Sequence, residues 1–220
     1  MKSKIESHYR PNKGNMICQG DMFSELEVIS YSNGEDEIIY DRITLPYSVV
    51  LSQDCDIEQN YTSRLEINNV NNVKDENKLR SIFDKLIPSI LLCVGFPAEQ
   101  VRQGIHLTES EQVRQGIHLT EYNDKFNILM DNKGKENKSK WKNILKNETP
   151  RYHYLKGNTD LQIPDLVLDF KRYYTIPNTY FYNQFEKCYL ASLSELFRED
   201  LSNRFAYFLS RIGLPEFNKK

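Results

Sequence analysis

The sequence predicts an α+β chain, with a compact barrel or strongly bent sheet over residues 16–75 followed by a mixed α/β part over residues 76–220 that closes with an amphipathic helix. Three observations carry this expectation. Strand-like segments crowd the first third, the polar stretch "NNVNNVKDEN" marks a seam, and apolar residues near the C-terminus recur at helical intervals. At 220 residues the chain is long enough to bury a substantial core.

Residues 1–15 read as a polar, mildly basic flexible arm that orders only on contact. Met16 to Tyr31, "MICQGDMFSELEVISY", has β-branched and aromatic residues in partial alternation, "SNGEDE" supplies turn chemistry, and "IIYDRITL" resumes the strand pattern, which together make a hairpin. After Pro46, "YSVVLS" is a short strand of the kind buried on both faces. Beyond the seam, "KLRSIFDKL" puts Leu79, Ile82, Phe83 and Leu86 on one helical stripe that Pro88 ends, and "SILLCVGF" is a further buried strand. "PRYHYL", "LVLDFKRYYTI" and "FEKCYLASL" follow as three more strands. Ser192 and Glu195 have the spacing of a capping box, and Phe197, Leu201, Phe205, Phe208 and Ile212 form an apolar stripe. Gly213 and Pro215 stop that helix.

The middle of the chain holds a tandem duplication at 99–122, "EQVRQGIHLTES" followed by "EQVRQGIHLTEY". Twelve inserted residues turn a continuous helix by an extra ~120°. One copy is therefore expected in the original slot, with the other as a bulge, a longer loop or added helix. His106 and His118 are duplicates of one residue, not a converging metal pair.

A formal charge of -2 argues against a surface built throughout for nucleic acid, while leaving room for a local basic face. Four scattered cysteines without a CxxC pair suggest neither a zinc site nor a disulfide framework, so reduced thiols in the cytoplasm are expected. Neither an apolar leader nor a membrane span is read from the sequence, and no cofactor or metal is expected.

Two places concentrate chemistry. In "VVLSQDCDIEQNYTSR", Ser52, Asp54, Cys55 and Asp56 crowd the exit of a buried strand. Side-chain to backbone bonds that turn the chain there are the leading expectation. Cys55 stands between two carboxylates, whose charge disfavours a thiolate, and a Cys-His enzyme would need His153 as its base. Asp21, Asp54 and Asp56 form the alternative, a magnesium-dependent nuclease. The second place is "KGKENKSKWKNILKNE", where Lys135, Lys138, Lys140 and Lys142 surround Trp141. Lysines there can hold a phosphate backbone while the indole stacks a base, or Trp141 can pack inward beneath a solvated face.

"QGDMF" at 19–23, followed after a hairpin by "LPYSVVLS" at 45–52, resembles the opening of the PemK/MazF toxin-like small barrels. The resemblance covers residues 16–56. It implies an SH3-like β-barrel and, for true toxins, metal-independent cleavage of single-stranded RNA by an arginine before the proline and a downstream serine. Here Leu45 stands where that arginine belongs and Ser52 at the serine, so the cation that stabilises phosphate charge is missing unless Arg42 or Arg64 replaces it. The whole chain, with "LSQDCD" early and "RFAYFLSRIGLP" at the end, also resembles bacterial proteins of mobile-element and defence neighbourhoods. The expectation is a non-enzymatic module that binds RNA, DNA or a protein partner in a defence or toxin-antitoxin setting. Its alternative is a divergent endoribonuclease using Ser52, Asp54 and Arg42 or Arg64.

Overall fold

A computed structural model of the chain describes residues 8–10, 14–33, 38–69, 76–103 and 137–211. Its elements are, in order, β1 (Tyr9–Arg10), β2 (Asp21–Asn33), β3 (Ile38–Val50), α1 (Asp54–Asn69), α2 (Glu76–Asp84), β4 (Ser89–Pro97), α3 (Ala98–Gln103), α4 (Lys138–Leu145), β5 (Tyr152–Leu155), β6 (Leu166–Pro177), α5 (Asn178–Cys188), β7 (Tyr189–Leu193) and α6 (Glu195–Leu209). The mixed α+β class is as expected. The seven strands form one antiparallel sheet in the order β1-β7-β2-β3-β4-β6-β5, which is open, so residues 16–75 do not close into an SH3-like barrel.

The hairpin predicted around "SNGEDE" is β2 and β3, paired from Met22↔Val49 to Asn33↔Ile38. Its pairing skips Glu25 and Pro46. Proline has no N–H for the ladder, and Glu25 beside it adopts a φ of 54°. This break is where the neighbours stop: β4 reaches only Tyr47–Val50 and β7 only Asp21–Phe23. The rest of the hairpin continues as a two-stranded ribbon, on which Ile29, Tyr40 and Arg42 are exposed.

Alternation along the strands feeds two cores. Phe23, Val50, Leu92 and Val167 pack with Ile57 of α1, Val101 of α3, Ile144 of α4 and Phe181 of α5. Their immediate neighbours Met22, Val49, Cys93 and Leu168 pack with Leu201 and Phe205 of α6. Since successive side chains point to opposite faces of a sheet, the sheet is sandwiched between a multi-helix layer and the single helix α6. Each fully buried Leu or Phe in these cores stabilises by roughly 1.5–3 kcal/mol. No helix among the described residues is long and apolar enough to cross a membrane.

Several local expectations are corrected. "SQDCD" is the start of α1 and not only a turn, with Asp54 and Asp56 in a first turn whose partial positive charge favours carboxylates. "FEKCYLASL" divides between the end of α5 and β7. Tyr9 and Arg10 of the supposed arm pair with Leu193 and Ser192. Ser192 is not a helix cap: it lies in β7, and α6 starts after Ser194. Phe83 of α2 faces solvent at 59% exposure, while Ile82 is buried. Of the duplicated segment, Glu99–Gln103 belong to α3, while His106 and His118 lie outside the described residues, as does Lys135 of the lysine-rich stretch.

Buried Asp169 on β6, opposite Tyr152 of the edge strand β5, organises that side of the sheet. Its carboxylate accepts two bonds from Arg151, at 2.8 and 2.6 Å, and one from the Lys171 amide at 3.1 Å. Losing the charge would strip the partly buried Arg151 guanidinium of its counter-charge and break its bidentate pairing with a carboxylate that is itself 1% exposed. The variant Asp169→Asn is expected to lower unfolding free energy by about 3 kcal/mol in urea titrations. Exposed Lys171→Ala should stay within about 0.5 kcal/mol of the parent.

Candidate functional site

The "QGD" and "SQDCD" segments meet at the end of the sheet where β2 begins and β3 ends. Gly20 makes the turn at a φ of 82°, and a Cβ there would lie 3.1 Å from the Arg198 side chain. Its amide donates to the Val50 carbonyl at 2.9 Å, and its carbonyl accepts from Leu193 at 2.9 Å. Asp21 is fully buried and accepts the Cys18 amide at 2.8 Å and the Ser192 hydroxyl. Asp54 accepts the Gln19 amide at 2.5 Å and is paired with Arg198 of α6. The Gln19 carboxamide donates to the Leu51 carbonyl at 3.1 Å and to the Ser202 hydroxyl at 2.7 Å. Ser52 accepts the Leu91 amide at 2.8 Å, bracing the start of β4.

These are structural engagements. Both carboxylates accept a backbone amide, Asp21 adds the Ser192 hydroxyl and Asp54 the Arg198 guanidinium, and among the described residues no cluster of three His, Cys, Asp or Glu is arranged around a common point. The half-buried Cys18 thiol is pushed up to about 11 by burial and then by Asp21 and Asp54, so it stays protonated at neutral pH. Cys55 is exposed on the first turn of α1, its sulfur 3.7 Å from Gln53 and Asp56 oxygens. His153 is 1% exposed on β5, enclosed by Phe170 and α6 with Nδ1 3.9 Å from an Asp200 oxygen. Burial, with Arg204 adding, pulls its pKa down to about 3, so the ring is neutral. The structure does not bring Cys55 and His153 together. Arg42 stands apart on the ribbon. On α4, Lys138, Lys140 and Lys142 are exposed, but Trp141 packs against the helix-rich core with Ile144, which removes it as a stacking platform.

Arg64 leads elsewhere. It lies on α1 beside a groove of about 430 Å³ between α1, Leu86 and the start of α5, within the usual size range of small-ligand sites. Leu65, Ile67 and Leu86 give apolar surface, and Tyr61, Arg64, Asn178, Thr179, Tyr182 and Asn183 complete the lining, with the Asn178 amide and the Tyr182 hydroxyl enclosed behind its surface. None of these residues is acidic. Arg64 is held by its own helix and the next segment: Nε donates to Asn60 Oδ1 at 3.1 Å and a terminal nitrogen to the Ile87 carbonyl at 3.4 Å. The Ile87 amide donates to the same Asn60 oxygen at 3.2 Å, so the buried Asn60 fixes both. The Tyr61 and Tyr182 rings lie 6.0 Å apart at 32°, an aromatic pair that forms a wall and leaves no slot between its members. Burial pushes the Tyr182 phenol up to about 12, keeping it a donor. Asn178, at 1% exposure, has no hydrogen-bond partner for either side-chain atom among the described residues, although its amide donates to the Pro88 carbonyl at 3.0 Å.

Of the sequence candidates, the structure thus joins Ser52, Asp54 and Asp21 in the scaffold at one sheet end, where Ser52 and Asp56 also line a groove of about 340 Å³ against Ser202 and Phe205 of α6, and places Arg64 at the α1–α5 groove. Asn178 and Tyr182 were missed. Their signal was the "IPNTYFYN" run, in which proline at a helix start precedes Asn and Tyr four residues apart.

Two outcomes test the structural reading of the candidates. In a double-mutant cycle of Asp54→Asn and Arg198→Met, each single change should cost about 1–3 kcal/mol of stability and the pair should couple by about 1 kcal/mol or more. For His153, the folded state holds the ring neutral while the unfolded chain takes a proton near the ordinary 6.5. Its contribution is therefore complete above that pH and is lost as pH falls from about 6.5 towards 3, with a limiting slope of about 1.4 kcal/mol per pH unit. Denaturation curves across this window should lose that one-proton slope in His153→Gln. The chain matches no protein-family model, no curated protein and no solved structure.

Proposed function

We propose that the protein is a non-enzymatic nucleic-acid-binding module, in the bacterial defence or toxin-antitoxin setting implied by its resemblance, and that the groove between α1 and α5 receives a base of single-stranded RNA. The carrying observation is the groove's lining: a tyrosine wall, a fixed guanidinium, three Asn or Thr side chains and no carboxylate. A base offers a flat π-face to the tyrosines and a polar edge to the amides, and its phosphate suits Arg64. The exposed Lys138, Lys140 and Lys142 add positive charge elsewhere on the surface without base recognition.

The divergent-ribonuclease alternative has less support. Attack by a ribose 2′-hydroxyl needs a base and a cation at the phosphate, and the Ser52 oxygen is engaged by the Leu91 amide while Asp54 is paired with Arg198. Arg64 is anchored to Asn60, not to that cluster.

Fluorescence anisotropy with a mixed-sequence single-stranded RNA in EDTA, followed by a gel of the same samples, tests the proposal. Affinity should fall steeply between about 50 and 200 mM salt, and Arg64→Ala should reduce the log–log slope by about 0.7. Tyr61→Ala should weaken binding by roughly 1–3 kcal/mol, the worth of one stacked base. Intact RNA is expected throughout. Salt-independent binding, or cleavage in EDTA, would overturn the reading.

A further inference from the structure

We infer that Asn60 is the positioning residue of the α1–α5 groove: it presets Arg64 as a fork for two oxygens of a phosphodiester and leaves the charge of that arginine uncompensated. The inference rests on the nucleic-acid reading of the groove and adds to it how the phosphate is held. Asn60 is fully buried, and its Oδ1 accepts both the Arg64 Nε–H at 3.1 Å and the Ile87 amide at 3.2 Å. The Ile87 carbonyl takes one more N–H of Arg64, from Nη2 at 3.4 Å. Nε and Nη2 share one edge of the guanidinium plane, so the scaffold occupies that edge. Two of the five N–H groups are thereby used and three are left among the described residues. Of those three, one on each terminal nitrogen runs parallel to the other at the outer end of the side chain. Such a pair matches the two non-bridging oxygens of a phosphodiester.

An amide is not the residue that helix stability alone would place here. An acid four residues before an arginine supports a helix through an ion pair, and an aspartate at 60 would offer Arg64 and Ile87 the same oxygen. The positions three and four residues from Arg64 on α1 are Asn60, Tyr61, Ile67 and Asn68, none of them acidic, although the helix carries Asp54, Asp56, Glu58 and Glu66. Elsewhere the molecule does pair its arginines: Arg151 meets Asp169 and Arg198 meets Asp54, and both guanidinium groups belong to the scaffold. At Arg64 the orientation comes from a neutral oxygen, and the groove lining contains no carboxylate. The Asn60 Nδ2 has no hydrogen-bond partner among the described residues, so what the amide supplies and a carboxylate would not is neutrality. Tyr61 and Arg64 are three residues apart on α1 and share a face, so the fork lies beside the tyrosine wall and a base and its own phosphate are met together.

The test uses the full chain and a mixed-sequence single-stranded RNA decamer, titrated by anisotropy between about 50 and 200 mM salt. The parent is compared with Asn60→Asp, Asn60→Ala and Arg64→Lys, and circular dichroism and thermal melting confirm the fold of each variant. Asn60→Asp keeps the oxygen that orients Arg64 and cancels its charge, so the log–log slope should fall by about 0.7, the worth of one phosphate contact on a single strand. Asn60→Ala keeps the charge and frees the guanidinium, so binding should weaken roughly tenfold at every salt concentration while the slope stays that of the parent. Arg64→Lys keeps the charge without the fork and should behave as Asn60→Ala does. A residue that served only the fold would lower the melting temperature without separating slope from affinity in this way. Should a variant at Asn60 fail to fold, Arg64→Lys still decides, because the change lies on a half-exposed side chain. Parent-like affinity or a reduced slope in Asn60→Ala or Arg64→Lys, or an unchanged slope in a folded Asn60→Asp, overturns the inference and leaves the groove reading intact. Failure of the parent to bind the RNA overturns both.

Discussion

Asp54 begins α1 on one side of the sheet, and the arginine that pairs it, Arg198, belongs to α6 on the other. The two meet around the sheet end, and Gln19 completes the junction by giving its amide to Asp54 and its carboxamide to Leu51 and Ser202. Hydrophobic burial is non-directional and would hold each helix layer to its face without fixing where along the strands it sits. Charge-assisted bonds are directional, so this junction sets the register of both layers against the same strand ends. Gly20 belongs to the same constraint. Its left-handed conformation, at a φ of 82°, is one that residues with a side chain adopt under strain, and it brings the chain between Arg198 and Leu193 where an added Cβ would be tightly crowded.

The junction also explains why the segment richest in chemistry-bearing residues is not where a ligand is best accommodated. Asp21, Ser52, Asp54 and Ser192 each answer a backbone amide or another side chain of the scaffold. A nucleophile or general base needs an accessible atom, and a metal ligand needs lone pairs directed to a shared centre. The α1–α5 groove is arranged differently. Arg64 is braced by two bonds and retains further N–H groups on a guanidinium that carries five, so it is pre-organised without being fully engaged.

Most strands were legible because apolar alternation and turn chemistry report burial on a sheet directly. β2 lies within "MICQGDMFSELEVISY" and the two residues after it, and β4, β5 and β6 lie within "SILLCVGF" with its following proline, "PRYHYL" and "LVLDFKRYYTI" with its following proline. By contrast "IIYDRITL" and "YSVVLS", read as separate strands on either side of Pro46, are one strand, β3. α6 was legible for the same reason, since Leu201 and Phe205 of the predicted stripe are buried and Phe197 and Phe208 pack beside them. Whether those strands close a barrel was not legible, because it depends on the late strand β7 pairing with β2 and on β4 being extended by β6, contacts between distant residues. α1 and α5 were hidden for two different reasons. In α1 the buried positions Ile57, Asn60 and Ser63 have helical spacing, but two are polar, so no apolar period appears. In α5, "NTYFYNQF" is rich in aromatic residues that favour strands, and tertiary packing of Phe181 overrides that preference.

Those two helices are the walls of the groove, and the coincidence has a physical basis. A helix selected only for stability would bury leucine where α1 buries Asn60, and would not begin α5 with an unpartnered Asn178, because apolar residues of like volume remove the desolvation penalty. Elsewhere α6 turns Leu201 and Phe205 to the sheet, as stability alone dictates. Asn60 recovers part of its cost by positioning Arg64 and Ile87, but Asn178 recovers none of it from hydrogen bonds of its side chain to the described residues. Departures from local consistency concentrate where a surface has been shaped for something other than folding. On that ground the polar interior of the α1–α5 groove points to a ligand more strongly than the carboxylate-rich exit of β3, whose polar groups the scaffold itself satisfies.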